Sequence, residues 1–503
     1  MNRFSPNPNL AHLIPWFESE AEALQAARAG DKPIMLFLSA FWCRYCQRMD
    51  EGALSDRENL ALLNAYFISL RAENAMRPDI DARYNLNGWP TIAFFTPGGE
   101  LLAAANFLSS EDFQELLLNV YLAYQQKTAT ERLARAEAAT ESVLANSARN
   151  YQQMLTEITD SIMALADRQH GGYGRGQKFI QADANEFLLA RYEVTKEPAY
   201  LEHVRLTLDR MRASPMHDTE AGGYFRTTTG ADWSQPHREK LLVEQAGLLA
   251  NCLRVHRLNG LPEYAEMAEE IIGYLDGKLF DAATETFFGC EDWLRYEPPA
   301  VGGEEFFTII DHCVYTDANA LAVCAYLDAA VLLDKPQCRE RERARATLDF
   351  LWQRCRSDSG GMFHYFDGEA HVPGLLQDQV QMGLALLRTY QVTGDAQYAE
   401  RARWLAEFIL IEMKNSAGGF YDIRAHNSAL LKLRLTLIEQ NGAAASFFLA
   451  LAEATGEEKY RDAARWAFQY FTGNFQEYGI HAASFGCALQ EYLLHRTASR
   501  RHK

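Results

Sequence analysis

Hydrophobic and polar positions follow two different rhythms along this chain. Up to about residue 125, short continuous apolar runs alternate with amphipathic stretches. Pro33 to Ala40 is an unbroken apolar run, as a strand buried on both faces requires. Phe67 to Ala72 and Thr91 to Thr96 repeat that pattern, and Pro97-Gly98-Gly99 turns the chain into a further strand, Glu100 to Ala104. Between them, Trp16 to Gly30 puts Phe17, Ala21, Leu24 and Ala27 on one helical face. Cys46 to Met49 opens a second helix and Asn59 to Asn64 continues helical. Glu111 to Gln126 closes the region, with Ser109 or Ser110 as its N-cap. Helices alternating with buried strands predict a small α/β domain over residues 1–126.

From residue 127 onward, Ala, Leu, Glu and Arg dominate and helical periodicity recurs. Residues 127–149 are rich in Ala and charge without a strong apolar face, and predict a connecting helix. Residues 150–503 repeat themselves. A turn unit recurs at Val194 to Tyr200, Leu258 to Tyr264, Val392 to Tyr398 and Ala454 to Tyr460, with a degraded copy at Leu333 to Cys338. Its anchors Tyr200, Tyr264, Cys338, Tyr398 and Tyr460 lie 64, 74, 60 and 62 residues apart. A Gly-aromatic mark interleaves with it: Gly171-Gly-Tyr173, Gly222-Gly-Tyr-Phe225, Phe287-Phe-Gly289, Gly360-Gly-Met-Phe363 and Gly418-Gly-Phe-Tyr421. A period near 60 is one long αα-hairpin, and the length leaves room for roughly six. Such hairpins stack as an open solenoid or close into an (α/α)6 toroid. The long aromatic loops favour the toroid.

Composition narrows the partners. The chain has 503 residues, 48% hydrophobic and 23% charged, which is ordinary globular composition. Its net charge of −18 disfavours nucleic acid and anionic membranes as partners. No apolar run approaches the ~20 residues of a membrane span, and Met1 to Pro15 lacks the apolar core of a secretory signal. Of nine Cys, Cys43 and Cys46 alone are close together. The expected location is therefore a reducing compartment, the cytoplasm. No HExxH, P-loop, GxSxG or dinucleotide fingerprint is present, so neither cofactor nor metal is expected.

Cys43-Arg44-Tyr45-Cys46 lies between a buried strand and a helix. There the first sulfur meets the free N–H groups and dipole of a helix N-terminus, which stabilise a thiolate. The second sulfur, one turn on, is within reach to resolve a mixed disulfide. Gly88-Trp89-Pro90-Thr91, just before the next strand, fits a cis-proline loop packed on the thiols. A zinc half-site is the rival reading, but zinc takes four ligands and no second CxxC or CxxH completes it. Strand, WCxxC, helix and WPT-strand together are the pattern of a thioredoxin-like fold.

The resemblance extends over nearly the whole chain. Asn2-Arg3, Ile14-Pro-Trp16, Asp31-Lys-Pro-Ile34, Trp42-Cys-Arg-Tyr-Cys46, Arg77-Pro-Asp-Ile-Asp81 and Gly88-Trp-Pro90 resemble the N-terminal domain of the spermatogenesis-associated protein 20 family. Gly171-Gly-Tyr-Gly174, Trp233, Pro236-His-Arg-Glu-Lys240 and Thr393-Gly-Asp395 are similar to its later part. The resemblance implies a thioredoxin-like domain followed by an (α/α)6 barrel related to sugar epimerases and six-hairpin glycosidases. Arg44, Tyr45 and Gln47 stand where that family usually has His, Trp and His. Phe37 stands where ordinary thioredoxins carry a buried acid, so no proton acceptor for Cys46 is evident.

In a toroid of this kind, inner-helix ends and their loops surround one central pocket. Candidates recur at similar points of successive hairpins: Asp183 and Glu186, then His237, Glu239 and Glu244, then Asp317, Asp378 and Glu439. Paired carboxylates and His suit acid–base work on sugars, and rings such as Tyr173, Tyr224, Phe225, Trp233, Phe363 and Tyr421 suit stacking. Arg226 and Lys240 suit an anionic group. The bland alternatives are N-caps or first-turn acids for Asp183, Asp317 and Asp378, an exposed pair for Glu239 and Lys240, and core plugs for the rings.

The leading expectation is a thiol-disulfide oxidoreductase. Cys43 attacks, Cys46 resolves, and Trp42, Trp89 and Pro90 hold the substrate, with a protein dithiol, disulfide or reductase as partner. The barrel then recognises substrate through residues such as Arg226, Trp233, His237, Glu239, Asp317, Asp378 and Glu439. The second expectation is a carbohydrate-active enzyme, an epimerase, isomerase or hydrolase, binding a sugar-like molecule under a redox-sensing thioredoxin domain. The third is a non-catalytic binding protein.

Overall fold

A computed structural model describes residues 4–130, 150–296, 305–333, 339–358 and 360–501. Of the expected connecting helix 127–149, residues 131–149 lie outside the described residues. The chain forms two compact units. The first comprises the described parts of 1–143, 292–309 and 425–434, and the second those of 144–291, 310–424 and 435–503. No described helix is long and apolar enough to cross a membrane.

The first unit is thioredoxin-like. Strands β1 (Trp16–Phe17), β2 (Ile34–Ser39), β3 (Ile68–Glu73), β4 (Thr91–Phe95) and β5 (Leu101–Ala105) form one sheet in the order β1-β3-β2-β4-β5. The β1-β3 and β3-β2 pairs are parallel, and β2-β4 and β4-β5 antiparallel. Every residue of β2 is buried, as its unbroken apolar run requires. Around the sheet lie α1 (Glu20–Gly30), α2 (Arg44–Glu51), α3 (Arg57–Tyr66), α4 (Pro78–Tyr84) and α5 (Ser110–Thr130). Trp16 and Phe17 do not begin α1. They pair with Ser69 and Leu70 as an edge strand, and the helix starts only after Ser19, whose hydroxyl accepts the Glu22 N–H. Residues 425–434 join this unit: Arg83 Nε donates to Leu433 O at 2.8 Å, and Tyr84 Oη to Leu430 O at 2.7 Å.

The second unit is an (α/α)6 toroid. Its helices are α6 (Tyr151–Leu165), α7 (Ala182–Thr195), α8 (Pro198–Arg212), α9 (Leu242–Asn259), α10 (Pro262–Tyr274), α11 (Thr316–Leu332), α12 (Arg339–Arg354), α13 (Leu376–Thr393), α14 (Ala396–Glu412), α15 (Ile438–Thr455), α16 (Glu458–Gln469) and α17 (Ala483–Arg501). The inner ring runs α7, α9, α11, α13, α15, α17 and back to α7, each packed on the next. Outer helices α8, α10, α12, α14 and α16 back their sequence neighbours, while α6 backs α17. The first and last helices thus complete the sixth pair, and side chains tie the closure. Arg191 Nη1 donates to Gln490 Oε1 at 2.9 Å, and Gln490 Nε2 to Ala190 O at 2.6 Å.

The two repeats have separate jobs. The turn unit joins α7–α8, α9–α10, α13–α14 and α15–α16; Gly260, Gly394 and Gly456 end their helices in the left-handed conformation, and Tyr264, Tyr398 and Tyr460 are buried. The Gly-aromatic loops lead instead into the inner helices. Four of the five are gripped by an amide from the inner helix that follows. Gln245 bonds both N–H and C=O of Tyr224, Asn319 those of Phe287, Gln379 those of Met362, and Asn441 those of Phe420. Gly is required just before the grip: Gly223 and Gly361 have positive φ, and a Cβ on either would lie 2.8 Å from the Tyr274 or Phe408 ring. These clamps hold the first turns of the inner helices at one end of the toroid.

Candidate functional site

At the dithiol, Cys43 is the N-cap of α2 and its Sγ accepts the Cys46 N–H at 3.1 Å. The two sulfurs are joined as a disulfide. Glu73, at the end of β3, accepts the N–H groups of Phe41 (2.8 Å) and Met76 (3.0 Å), fixing the approach to Trp42 and Cys43. The Trp89–Pro90 peptide is cis, as the sequence leads one to expect. The Trp42 and Trp89 rings meet edge-on at 5.1 Å, so the residues preceding Cys43 and Pro90 are in contact. Tyr45 is exposed and packs on exposed Phe107 at 5.4 Å. An aromatic apron therefore borders the disulfide.

The Arg77-Pro-Asp-Ile-Asp81 segment explains how Trp89 is held. Arg77 grips Asp79 through Nε and Nη2 (3.0 and 2.9 Å) and Glu20 through Nη1 (2.7 Å), all three buried. Burial alone would raise the Asp79 carboxyl, but the Arg77 guanidinium outweighs it and the group sits below its usual range. This anchors the start of α4, from which Asp81 Oδ1 accepts Trp89 Nε1–H at 2.8 Å.

Phe37 is buried on β2, and the buried acid of this unit nearest in sequence to Cys46 is Asp50. Asp50 lies one turn beyond Cys46 on the buried face of α2. Arg71, whose register partner is Phe37, donates Nη1 and Nη2 to Asp50 Oδ1 and Oδ2 at 2.8 and 3.0 Å, and its guanidinium lies 4.8 Å from the Phe37 ring. Burial raises the Asp50 carboxyl, with Arg71 opposing. The i, i+4 spacing from Cys46 was the available sequence signal for this acid.

In the toroid, acids open five inner helices in turn: Asp183, Glu244, Asp317, Asp378 and Glu439. Their charges act on one another in two sets, Asp183 with Glu244 and Glu439, and Asp317 with Asp378. Burial pushes Glu244 up to about 8, Arg226 opposing and Asp183 adding. Burial likewise raises Asp183, with Glu439 adding and His481 opposing. Burial pushes Asp378 up to about 7, with His364 opposing and Asp317 adding. Asp183 and Glu244 retain accessible surface although protein surrounds them, as expected of groups lining the axis of a ring. The last inner helix, α17, has no acid in its first turn. Just before it His481 Nδ1 lies 3.0 Å from Glu439 Oε1, and this bond raises the imidazole.

Other candidates fall elsewhere. Trp233 is wholly buried, donates Nε1–H to His170 O at 2.8 Å, and is a core plug rather than a stacking platform. His237 lies on a short strand paired with Thr227 and is exposed. Glu239 is buried and takes Arg226 Nε–H at 2.8 Å. Arg226 is therefore paired with Glu239, and its charge also acts on Glu244, instead of standing free for an anion. Glu239 and Lys240 are not an exposed pair: Lys240 is wholly buried and donates to Asp218 at 2.7 Å. Glu186 pairs with Arg254. Two histidines of the site, His364 and His481, carry no repeat signal. His364 follows a Gly-aromatic mark, and that adjacency was its sole sequence cue.

Comparisons with known proteins bear on both units. Residues 8–145 match a family described as Thioredox_DsbH, protein of unknown function, DUF255. The chain is 26% identical over 308 residues to spermatogenesis-associated protein 20 of Homo sapiens, covering 56% of this chain and 39% of that one. The matched stretch thus spans little more than a third of that relative's length. Thiol:disulfide interchange protein DsbD 1 of Pseudomonas aeruginosa is 40% identical over 82 residues, 16% of this chain and 14% of that one. Among solved structures, a D-mannose isomerase superposes with a TM-score of 0.54 at 12% identity, covering 68% of this chain and 97% of that one. At that identity the likeness establishes the toroid fold alone.

Proposed function

We propose that the chain is a thioredoxin-like thiol-disulfide oxidoreductase whose toroid recognises the substrate or partner. The observation that carries this is the Cys43 sulfur at the N-cap of α2, bonded to the Cys46 N–H and paired with Cys46 as a disulfide. In the reduced chain the Cys43 thiolate attacks a substrate disulfide and expels one substrate thiolate, forming a mixed disulfide. Cys46 loses its proton, attacks the Cys43 sulfur and releases the second thiolate. Two electrons pass to the substrate, and Cys43–Cys46 is left oxidised for a dithiol partner to reduce. Asp50, one turn beyond Cys46 on the same buried face, is the proton acceptor in this reading. The apron of Trp42, Tyr45, Trp89 and Phe107 suits a peptide flanking the disulfide.

Equilibration in glutathione buffers, alkylation and mass spectrometry test the reading. The expected result is one reversible two-electron transition of Cys43 and Cys46, between roughly −270 and −120 mV. A pair that never forms a disulfide across that range would sink it.

A second reading rests on Glu244. A carboxyl that keeps its proton near neutrality is suited to general acid work, and Asp183 supplies a second carboxyl near it, with the Glu439–His481 pair acting in turn on Asp183. That arrangement favours a carbohydrate-active enzyme, an epimerase, isomerase or hydrolase. The elevated carboxyl also has a thermodynamic consequence. Glu244 titrates near 4.5 when unfolded and at about 8 when folded. Its contribution to stability is therefore full below pH 4.5 and is lost as the pH rises to 8. Each unit is worth about 1.4 kcal/mol, and water reaching the axis reduces the total to roughly 1–3 kcal/mol. Urea unfolding of Glu244→Gln should lose this slope and gain stability over the parent at pH 8.5. An unchanged slope would mean that Glu244 ionises normally.

A further inference from the structure

Asp317, His364 and Asp378 come from three elements: the first turn of α11, the strand Phe363–Phe366 and the first turn of α13. Backbone bonds set their approach. Tyr315, two residues before Asp317, pairs with Tyr365, next to His364. Gln379, next to Asp378, clamps the N–H and C=O of Met362, just before that strand. One potential ligand atom from each of the three lies within 4.8 Å of the others. His364 Nδ1 is 2.9 and 3.2 Å from the two carboxylate oxygens of Asp378. His364 is 3% exposed and Asp378 is not exposed at all, while Asp317 is half-buried and opens the cluster on one side.

We infer that Asp317, His364 and Asp378 form a binding site for one divalent first-row transition metal ion. Two ligand atoms at about 2.1 Å from one tetrahedral ion are about 3.4 Å apart, so the 2.9 and 3.2 Å between His364 and Asp378 need only open by a few tenths of an ångström to admit one. One imidazole with two carboxylates is a donor set for Zn²⁺ or Mn²⁺, and lacks the soft sulfur that would favour Cu(I). Charge points the same way. Burying the Asp378 carboxylate beside a second, half-buried one is costly unless a cation neutralises them. A divalent ion cancels both charges, with His364 as a neutral ligand. The N-termini of α11 and α13 favour the ionised carboxylates, which are the ligating form. The clamped backbone around the cluster holds the donors in place before an ion arrives, so little ordering entropy opposes binding.

The test uses the full chain with Cys43 and Cys46 replaced by serine, so that this vicinal pair of thiols cannot bind metal. The protein is stripped with a chelator and titrated calorimetrically with Zn²⁺ and with Mn²⁺. One ion per chain is expected, accompanied by a rise in melting temperature through linkage. His364→Gln and, separately, Asp317→Asn should each weaken binding at least tenfold. Circular dichroism confirms that both variants are folded, and half-buried Asp317 guards against a loss due to misfolding of the buried pair. No binding by the stripped chain overturns the proposal. So does binding that survives both substitutions unchanged.

Discussion

Replacing Cys43 with serine should abolish reduction of a protein disulfide, leaving the rate of the buffer thiol alone. Cys46→Ser should instead arrest the chain as a mixed disulfide with its substrate, seen by intact mass and on non-reducing gels. The asymmetry follows from position. Cys43 is the more accessible of the two, 6% exposed against 3%, and sits at the N-terminal cap of α2. Cys46 lies inside the first turn, 3% exposed, and its sulfur is bonded to that of Cys43. Folding should survive the first substitution, because serine is itself a good N-cap and can take the Cys46 N–H in place of sulfur. Equal capture by both variants would reverse the assigned roles. Full turnover by both would show that catalysis does not pass through this pair.

Arg77→Met should destabilise the thioredoxin-like unit by roughly 3–5 kcal/mol, the usual consequence of leaving buried charges without their partner. The substitution strands Glu20 and Asp79 together, two carboxylates that share this guanidinium and are 7% and 4% exposed. Urea unfolding followed by tryptophan fluorescence measures the loss, since Trp16, Trp42 and Trp89 all belong to this unit. Adding Asp79→Asn to Arg77→Met should recover part of it, because the double variant buries one charge fewer. A loss below about 1 kcal/mol would place the triad among surface pairs, in conflict with its burial.

The legible part of this protein is the part carried by neighbours along the chain. The unbroken apolar run of β2, the WCxxC entry to α2 and the turn before β4 are short-range signals, and the sheet forms where they fall. The repeats were equally plain, because a hairpin that buries one face must reproduce its pattern each time. Trp16 and Phe17 were misread as helix because a pair of apolar residues does not reveal whether its backbone bonds go to the next turn or to β3. The recurring acids of the inner helices stood out, but a first-turn acid looks the same whether it caps its own helix or faces a ring of others.

Long-range partners were the illegible part. Nothing local to Arg71 says that it reaches Asp50, and Phe37 alone suggested that the acid was missing. Trp233 carries the composition of a binding platform and the environment of a core residue. His364 and His481 lie outside the periodic positions, yet the first meets Asp378 and the second Glu439. The amino-acid sequence by itself determined the two architectures, the dithiol and the register of each repeat, since helix period, capping and strand burial act over a few residues. Ring closure of α17 on α7 and the pairing of β2 with β3 decided which charges meet and how far burial shifts them, because electrostatic energy depends on distances in space that chain separation does not set.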